Sequence, residues 1–377
     1  MSIAAAPDNQ AAVLVSLDFT AAPREEAAEE LARLAESAGV LRHLIVRGRR
    51  QRPDPKFYCG SGKVAEIGQA VAALNAGWVI FNHNLSPAQE RNLELELKCR
   101  VLDRTELILE IFSQRAQTNE GKVQVELARL EHLSTRLVRG WTHLERQRGG
   151  LGKTGGPGEK QIELDRRYLS KRVRVLRDKL DTLRKQRTVQ RRARARRDVL
   201  SVSLVGYTNA GKSTLFNALT HAKAYEADQL FATLDTTTRR VWLPEAGEVV
   251  LSDTVGFIHD LPHGLVAAFR ATLEETVHAD LLLHVVDSAA PAREEQAAEV
   301  DKVLAEIGAS GIPQILVWNK ADASGLAPGV ERDEYGRIRR VFLSARTGAG
   351  LAELRGAIAE AAKARQARNP SPELISL

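Results

Sequence analysis

A glycine-rich octapeptide at residues 206–213 has the composition of a phosphate-binding loop. It matches the pattern G-x-x-x-x-G-K-[ST], follows an apolar run and precedes a helical pattern at Thr214–Thr220. Its glycines let backbone N–H groups close around phosphate oxygens, and the N-terminus of the helix adds positive potential. The lysine would neutralise the β- and γ-phosphates, and the serine hydroxyl would ligate Mg²⁺. The predicted phosphate-binding residues are Gly206, Tyr207, Thr208, Asn209, Ala210, Gly211, Lys212 and Ser213.

A second motif selects the base. The run Asn319-Lys320-Ala321-Asp322 follows the apolar stretch Gln314–Trp318. The two carboxylate oxygens of Asp322 match the N1–H and N2–H₂ donors of guanine, and adenine presents neither donor. Hydrogen bonds to a charged group contribute about 1.5–3 kcal/mol each, so two of them predict selection of guanine over adenine. The dipeptide Ser344-Ala345, which Arg346 follows, would add a backbone contact to the edge of the base.

Two further segments supply the groups that surround the γ-phosphate. The second switch segment, Asp253-Thr254-Val255-Gly256, follows an apolar run; its Asp would hold Mg²⁺ indirectly and the Gly256 N–H would contact the γ-phosphate. The first switch segment is Phe231-Ala232-Thr233-Leu234-Asp235, and we expect Thr233 to be the second Mg²⁺ ligand beside Ser213. Neighbouring threonines compete for this role, and an ordinary threonine-rich strand entry is the alternative: Thr236, Thr237 and Thr238.

The residue after Gly256 is Phe257, at a position where many GTPases have a glutamine that orients the attacking water. A phenylalanine side chain has no group for this task, so it either packs in the switch or leaves catalysis to another switch residue, a bound cation or a partner. The fourth loop residue, Asn209, offers a carbonyl oxygen that could hold K⁺ beside the β/γ bridge, or it only shapes the loop. The predicted catalytic residues are Lys212, Thr233, Gly256 and Asn209.

A second glycine-rich stretch, Gly60-Ser61-Gly62-Lys63-Val64, resembles a phosphate loop but fails at two required positions. It ends in valine, which has no hydroxyl for Mg²⁺, and Phe57 stands where the first glycine belongs. It therefore predicts a helix N-terminus with packing glycines.

The elements that must position these residues alternate between strands and helices at both ends of the chain. This alternation predicts a parallel α/β domain at residues 1–117 and a P-loop domain with a doubly wound, mostly parallel sheet at residues 199–365. Residues 366–377 show no pattern and are expected to be disordered. The predicted strands are Ala11–Leu17, Val40–Val46, Trp78–Asn82, Cys99–Leu102, Leu200–Val205, Val249–Ser252, Leu281–Val286, Gln314–Trp318 and Arg340–Leu343.

Residues 118–198 predict an antiparallel helical arm around a glycine-rich tip at residues 148–158. One helix carries the stripe Leu127, Leu130, Leu133 and Leu137, and the other carries Leu169, Val173, Leu176, Leu180 and Leu183. Between residues 166 and 197 there are fifteen Lys or Arg against two acids, a surplus of 15 − 2 = 13 that exceeds the net charge of +6 of the whole chain. The surplus favours binding of a phosphate backbone, and an ordinary solvated helix face is the alternative.

The composition limits the remaining possibilities. Hydrophobic residues make up 44% of the chain, enough for real cores, and the two cysteines provide neither a disulfide framework nor a zinc motif. No apolar run approaches the roughly 18–20 residues that cross a bilayer, and the N-terminus lacks the pattern of a signal peptide. We therefore expect a cytoplasmic protein without a membrane span, and we expect it to be a monomer.

Several runs resemble the HflX family of ribosome-associated GTPases, over roughly residues 10–365. They are GGLGKTGGPGEKQIELDRR (149–167), RPDPKFYCGSGKVAEI (52–67), LSPAQERNLE (85–94), VLDRTELILEIF (101–112) and LFATLDTTTRR (230–240). The resemblance implies an N-terminal α/β domain, a helical arm and a GTPase domain with the nucleotide and Mg²⁺ residues named above. The chain ends soon after the GTPase domain, so the further C-terminal domain of some family members is not expected here.

The resemblance also implies a partner and an activity. The expected partners are GTP and GDP, the large ribosomal subunit and its rRNA, with the glycine-rich tip near the peptidyl transferase centre. The expected function is dissociation of stalled or idle ribosomes under stress by a Mg²⁺-dependent GTPase. Two alternatives stay open: a ribosome- or RNA-binding module whose hydrolysis only tunes occupancy, and a GTPase of ribosome assembly or RNA modification.

Overall fold

The computed structural model describes residues 8–19, 25–147, 157–195, 199–220, 229–244, 246–259, 265 and 273–368 of the 377-residue chain. The chain divides into two compact units, Met1–Asp181 and Thr182–Leu377. Within the described residues, no helix combines the length and the apolar composition that crossing a bilayer requires.

The first unit contains the predicted parallel α/β domain. Its four strands are all parallel and lie in the order β2-β1-β3-β4, with the inner strand β1 buried along its apolar run. Continuous apolar strands are expected where helices cover both faces of a parallel sheet. The elements are β1 (Asp8–Asp18), α1 (Glu25–Ser37), β2 (Arg42–Arg49), α2 (Ser61–Leu74), β3 (Ala76–Phe81), α3 (Pro87–Leu97), β4 (Arg100–Leu102) and α4 (Arg104–Arg115).

The second glycine-rich stretch is a helix start, as its sequence predicts. Gly60 is the N-cap of α2 and has φ 82°, a conformation that favours glycine. A Cβ at Gly60 would lie 1.9 Å from a guanidinium nitrogen of Arg50, whose Nη1 donates to the carbonyl of Cys59 at 2.7 Å. The positive φ therefore favours glycine here, and a Cβ would also displace the guanidinium of Arg50.

The arm consists of α5 (Asn119–Gln147) and α6 (Pro157–Ala195). Its seam joins Val123 and Leu127 to Leu176, with Leu130, Val173 and Leu180 packed at the margin. Contacts of Asn119 with Lys179 and of Glu126 with Arg172 show that the helices run antiparallel, as predicted.

One member of the predicted stripe is wrong. Leu133 is 47% exposed, because 3.6 residues per turn place it off the face that Val123, Leu127 and Leu130 share. The side chain of Leu137 and residues 148–156 of the predicted tip lie outside the described part of the chain.

The second unit carries a seven-stranded sheet in the order β10-β11-β9-β8-β5-β7-β6. Its five inner strands are parallel, and the edge strands β6 and β10 are antiparallel to their neighbours. The strands are β5 (Leu200–Gly206), β6 (Thr237–Leu243), β7 (Gly247–Asp253), β8 (Leu281–Asp287), β9 (Gln314–Asn319), β10 (Gly329–Arg332) and β11 (Ile338–Phe342).

The helices described in this unit are α7 (Lys212–Thr220), α8 (Glu274–Val277), α9 (Arg293–Glu306), α10 (Ala321–Ser324) and α11 (Leu351–Arg368). Among them, α9 and α11 are the long ones. Helix α11 continues three residues beyond the predicted domain end at 365, so the expected disorder of residues 366–368 is wrong. Residues 369–377 lie outside the described part of the chain.

Candidate functional site: a nucleotide and magnesium cleft

The phosphate loop connects the inner strand β5 to helix α7, and its backbone takes conformations that few side chains permit. Gly206, Asn209 and Gly211 have φ values of 151°, 61° and 89°. A Cβ at Gly206 would lie 2.2 Å from the carbonyl oxygen of Val285, and one at Gly211 would lie 2.2 Å from Nδ2 of Asn319. The glycines therefore allow both the turn of the loop and its close approach to neighbouring strands.

Lys212 is buried at the start of α7, with its ammonium inside the loop. Its Nζ donates to the carbonyl oxygens of Gly206 at 3.1 Å and Tyr207 at 2.8 Å. Burial lowers the pKa of the lysine to about 8, and the nearby Asp253 carboxylate opposes this shift. A buried ammonium is stabilised by an anion placed beside it, so the loop suits a phosphate group.

Three oxygen groups from separate elements meet beside Lys212. Ser213 Oγ lies 2.8 Å from Oδ2 of Asp253 and 2.7 Å from Oγ1 of Thr233, and Thr233 Oγ1 lies 3.0 Å from the same carboxylate oxygen. Oδ1 of Asp253 is buried without a hydrogen-bond partner in the described part of the chain. Burial raises the pKa of Asp253, while Lys212 and the two hydroxyls oppose the rise. Oxygen donors of this kind fit Mg²⁺.

The second switch segment lies directly against the phosphate loop. A Cβ at Gly256 would lie 2.8 Å from Cγ2 of Thr208 and 3.0 Å from Nζ of Lys212. The backbone of Phe257 donates to Gly206 O at 3.1 Å and accepts from Thr208 N at 2.7 Å. Its side chain is 1% exposed, so it packs in the core as the sequence allowed. It therefore has neither a polar group nor access to an attacking water.

The base-recognition loops are tied to the phosphate loop by one amide. Asn319, at the end of β9, donates from Nδ2 to Ala210 O at 2.9 Å and accepts at Oδ1 from Ala345 N at 2.9 Å. Lys320 has φ 63° and its Nζ lies 2.7 Å from Oδ2 of Asp287. Asp322 is exposed in the first turn of α10. The loops after β5, β9 and β11 thus meet at one edge of the sheet, where ligands bind in doubly wound folds.

Comparisons with known proteins agree with this geometry. Three family models match consecutive segments: "GTP-binding GTPase N-terminal" at residues 25–113, "GTP-binding GTPase Middle Region" at 115–194 and "50S ribosome-binding GTPase" at 201–320. GTPase HflX of Escherichia coli strain K12 is 55% identical over 350 residues, which are 93% of this chain and 82% of the relative. The chain belongs to the HflX family. It is therefore a GTPase that carries a ribosome-binding GTPase domain.

The match extends to a second HflX relative and to a solved structure. GTPase HflX of Magnetococcus marinus is 48% identical over 337 residues, covering 88% of this chain and 78% of the relative. A crystal structure of SsGBP in complex with GDP is 26% identical, with a TM-score of 0.52, and covers 94% of this chain and 98% of that one. The HflX-type architecture is thus shared along nearly the whole chain.

Ten of the 24 predicted residues of this HflX-family site line one cleft, and others support it from outside. Leu234 and Val255 are buried in hydrophobic packing, Ala210 contributes its carbonyl, and Arg346 is exposed. The motifs do not include Thr214 and Gln229, which also border the cleft. The residues lining it are Thr208, Asn209, Gly211, Lys212, Ser213, Thr214, Gln229, Phe231, Ala232, Thr233, Thr254 and Gly256.

Tyr207 has a role that its position in the motif does not predict. Its hydroxyl accepts a hydrogen bond from the backbone N–H of His259 at 2.8 Å. Tyr207 occupies the second position of the phosphate loop, where the motif allows any residue, so the motif does not predict the contact with His259. The hydroxyl holds the start of the segment after Phe257 to the phosphate loop.

Proposed function

We propose that this HflX-family GTPase binds the large ribosomal subunit in its GTP state and dissociates stalled or idle ribosomes under stress. It would act in the cytoplasm as a monomer. The observation that supports the proposal is that some basic residues of α6 form ion pairs with α5 and others do not. Arg172 lies 2.7 Å from Glu126 of α5, and Arg177 lies 2.7 Å from Glu131 of α5. Both arginines therefore form ion pairs between the two helices of the arm. Lys171 and Arg174 are exposed and have no acidic partner in the described residues.

The unpaired residues share one side of the helix. Lys171 and Arg174 are three residues apart, and both lie on the side of α6 opposite to Val173, Leu176 and Leu180. Their charge is therefore directed away from α5 and is available to phosphate groups of rRNA. Each phosphate that a basic side chain neutralises releases counterions, which makes such binding favourable and dependent on salt.

The two pairs of basic residues provide a matched test of the proposal. In sedimentation with purified ribosomes and a non-hydrolysable GTP analogue, we expect Lys171→Gln/Arg174→Gln to weaken binding and to reduce the slope of log K against log salt by roughly one to two. Arg172→Gln/Arg177→Gln removes the same charge but only from ion pairs within the arm, so the slope should stay unchanged. Wild-type protein should bind less tightly with GDP.

Two results would contradict this proposal. If both double variants gave the same slope of log K against log salt, Lys171 and Arg174 would belong to an ordinary solvated helix face and would not bind rRNA phosphates. Equal sedimentation of the wild-type protein with GDP and with the analogue would remove the link between nucleotide and ribosome.

The cleft suggests how hydrolysis proceeds. Ser213 and Thr233 would hold Mg²⁺ with their hydroxyls, and Asp253 would hold it indirectly. Bound there, Mg²⁺ supplies charge neutralisation at the β- and γ-phosphate oxygens. Lys212 would bind the same oxygens from inside the loop, and the Gly256 N–H would donate to the γ-phosphate. These groups stabilise the charge that develops in the transition state.

Asn209 would bind a monovalent cation beside the groups that stabilise the transition state. It lines the cleft at the fourth position of the phosphate loop, next to the expected β/γ bridge. We expect GTP turnover to be about tenfold faster in KCl than in NaCl at matched ionic strength, because K⁺ would supply positive charge where Phe257 supplies no polar group. Asn209→Gly keeps the backbone at φ 61° accessible and removes only the amide, so it should abolish the difference. Equal wild-type rates in both salts, with and without ribosomes, would reduce Asn209 to a loop-shaping residue.

A further inference from the structure

One side of α5 faces the N-terminal α/β domain with basic residues. Arg129, His132 and Arg136 follow each other at spacings of three and four, on the side of the helix opposite to the seam with α6. Arg129 lies 2.6 Å from Glu110 Oε2, and His132 Nε2 lies 3.8 Å from Glu106 Oε1. Among the ion pairs that join α5 to this domain in the described residues, those of Arg136 lie farthest from the helix start.

Arg136 is bonded to three carboxylates at once. Its Nη1 contacts Glu90 and lies 2.6 Å from Oε1 of Glu106, and its Nη2 lies 2.5 Å from Oδ2 of Asp103. The guanidinium is only 12% exposed and Asp103 only 1%. Asp103 is also the N-cap of α4, where its Oδ1 accepts the Glu106 N–H at 2.8 Å. Since Glu90 lies in the first turn of α3, one side chain of the arm is attached to the starts of two helices.

The cluster depends on this guanidinium for its charge balance. Three carboxylates surround one permanent positive charge, and burial raises the pKa of Glu90 and of Glu106 to about 7. Burial also lowers the pKa of His132, so the imidazole is a poor substitute cation. A planar guanidinium with five N–H donors can satisfy several acceptors at once, whereas an ammonium cannot match that geometry.

We propose that Arg136 fixes the direction in which the arm leaves the N-terminal domain, and that contact of the arm with rRNA requires this direction. The inference rests on the proposed function. At a rise of about 1.5 Å per residue, Gln147 lies roughly 42 Å from the start of α5, so a tilt of roughly 10° at the base moves it by roughly 7 Å. Among the described side chains, the buried apolar residues on this side of α5 are Val125 and Ala128, which lie eight or more residues before Arg136.

Arg136→Gln tests the inference, with Arg129→Gln as its control. Both replacements remove one arginine from the same side of α5, but Arg129 pairs with one carboxylate and is 39% exposed. We expect Arg136→Gln to weaken ribosome binding about tenfold, because an arm that samples many directions loses its preorganisation. Arg129→Gln should change binding by less than about twofold. Basal GTP turnover without ribosomes should be unchanged in both variants.

A triple variant separates positioning from folding. In Arg136→Gln/Glu90→Gln/Glu106→Gln, most of the unbalanced negative charge is gone, so thermal stability should recover to near that of the wild type. Ribosome binding should stay weak, because the bonds that fix the arm are still absent. Recovery of binding together with stability would overturn the inference, since Arg136 would then only neutralise charge. Wild-type binding by Arg136→Gln would overturn it as well.

A direct distance measurement keeps the inference separate from the proposed function. Spin labels at Gln69 of α2 and Ser170 of α6, both exposed, can be introduced on a Cys99→Ala background while Cys59 stays buried. We expect the distance distribution between them to broaden in Arg136→Gln and in the triple variant, and to stay narrow in Arg129→Gln. Unchanged distributions would overturn the positioning role whether or not the protein binds ribosomes. If the wild-type protein fails to bind ribosomes but the distributions broaden, the proposed function and the rRNA requirement fail, while the positioning role of Arg136 stands.

Discussion

Replacing Lys212 by alanine should reduce GTP turnover by roughly 1,000-fold or more and abolish tight binding of the triphosphate. The ammonium is buried within the phosphate loop and is held by the carbonyl oxygens of Gly206 and Tyr207. It is thereby preorganised toward the oxygens on which charge develops as the γ-phosphoryl group is transferred. Phosphate release and the affinity for a fluorescent GTP analogue measure the two effects.

Lys302→Ala is a suitable control for this change. Lys302 is 70% exposed on α9 and, among the described residues, its ion pair is with Glu299 three residues earlier, so its loss should leave turnover unchanged. Hydrolysis at the wild-type rate by Lys212→Ala would place the reaction at another site. The same variant also tests the binding-module alternative, since ribosome dissociation without turnover would mean that hydrolysis only tunes occupancy.

The sequence predicted which segments meet at the cleft, because the signals for these segments are local. The phosphate loop, the Asp253–Gly256 segment and the Asn319–Asp322 run each follow a strand directly, so strand ends alone bring them together at one edge of a parallel sheet. The sequence alone did not distinguish clearly between Thr233 and the neighbouring threonines as the expected Mg²⁺ ligand. The structure separates them because Thr237 and Thr238 belong to β6 and Thr238 pairs with Ser252, whereas Thr233 reaches Ser213.

Features that depend on partners distant in the sequence were not predicted. The strand β6 has the sequence TTRRVWL and little apolar alternation, and only its pairing with β7 identifies it as an edge strand. The arm seam was found from the spacing of its leucines, but that spacing alone assigned Leu133 to the seam, and 3.6 residues per turn place it off that face. No sequence pattern indicated the role of Arg136, because its carboxylate partners lie 30 to 46 residues away in the chain. Only the packing of α5 on α3 and α4 brings them together.

Asp322→Asn should exchange the base preference of this HflX-family enzyme. Asp322 is exposed in the first turn of α10, where both carboxylate oxygens can accept hydrogen bonds from a base. The amide keeps one acceptor and turns the other into a donor, which opposes the N2–H₂ group of guanine. One hydrogen bond loses its charged acceptor and the other is replaced by two opposed donors, so GTP affinity should fall roughly 100-fold or more.

Xanthosine triphosphate distinguishes a changed preference from a damaged fold. Xanthine carries a carbonyl oxygen where guanine carries its N2 amino group, so the new amide donor of Asp322→Asn has an acceptor to meet. Turnover of this nucleotide by the variant should approach the wild-type rate with GTP, since the phosphate loop and the Asn319 amide bonds to Ala210 and Ala345 are unchanged. A variant that still prefers GTP would show that Asp322 does not contact the base. A variant inactive with both nucleotides, yet as stable to heat as the wild type, would show that Asp322 contributes more than base recognition.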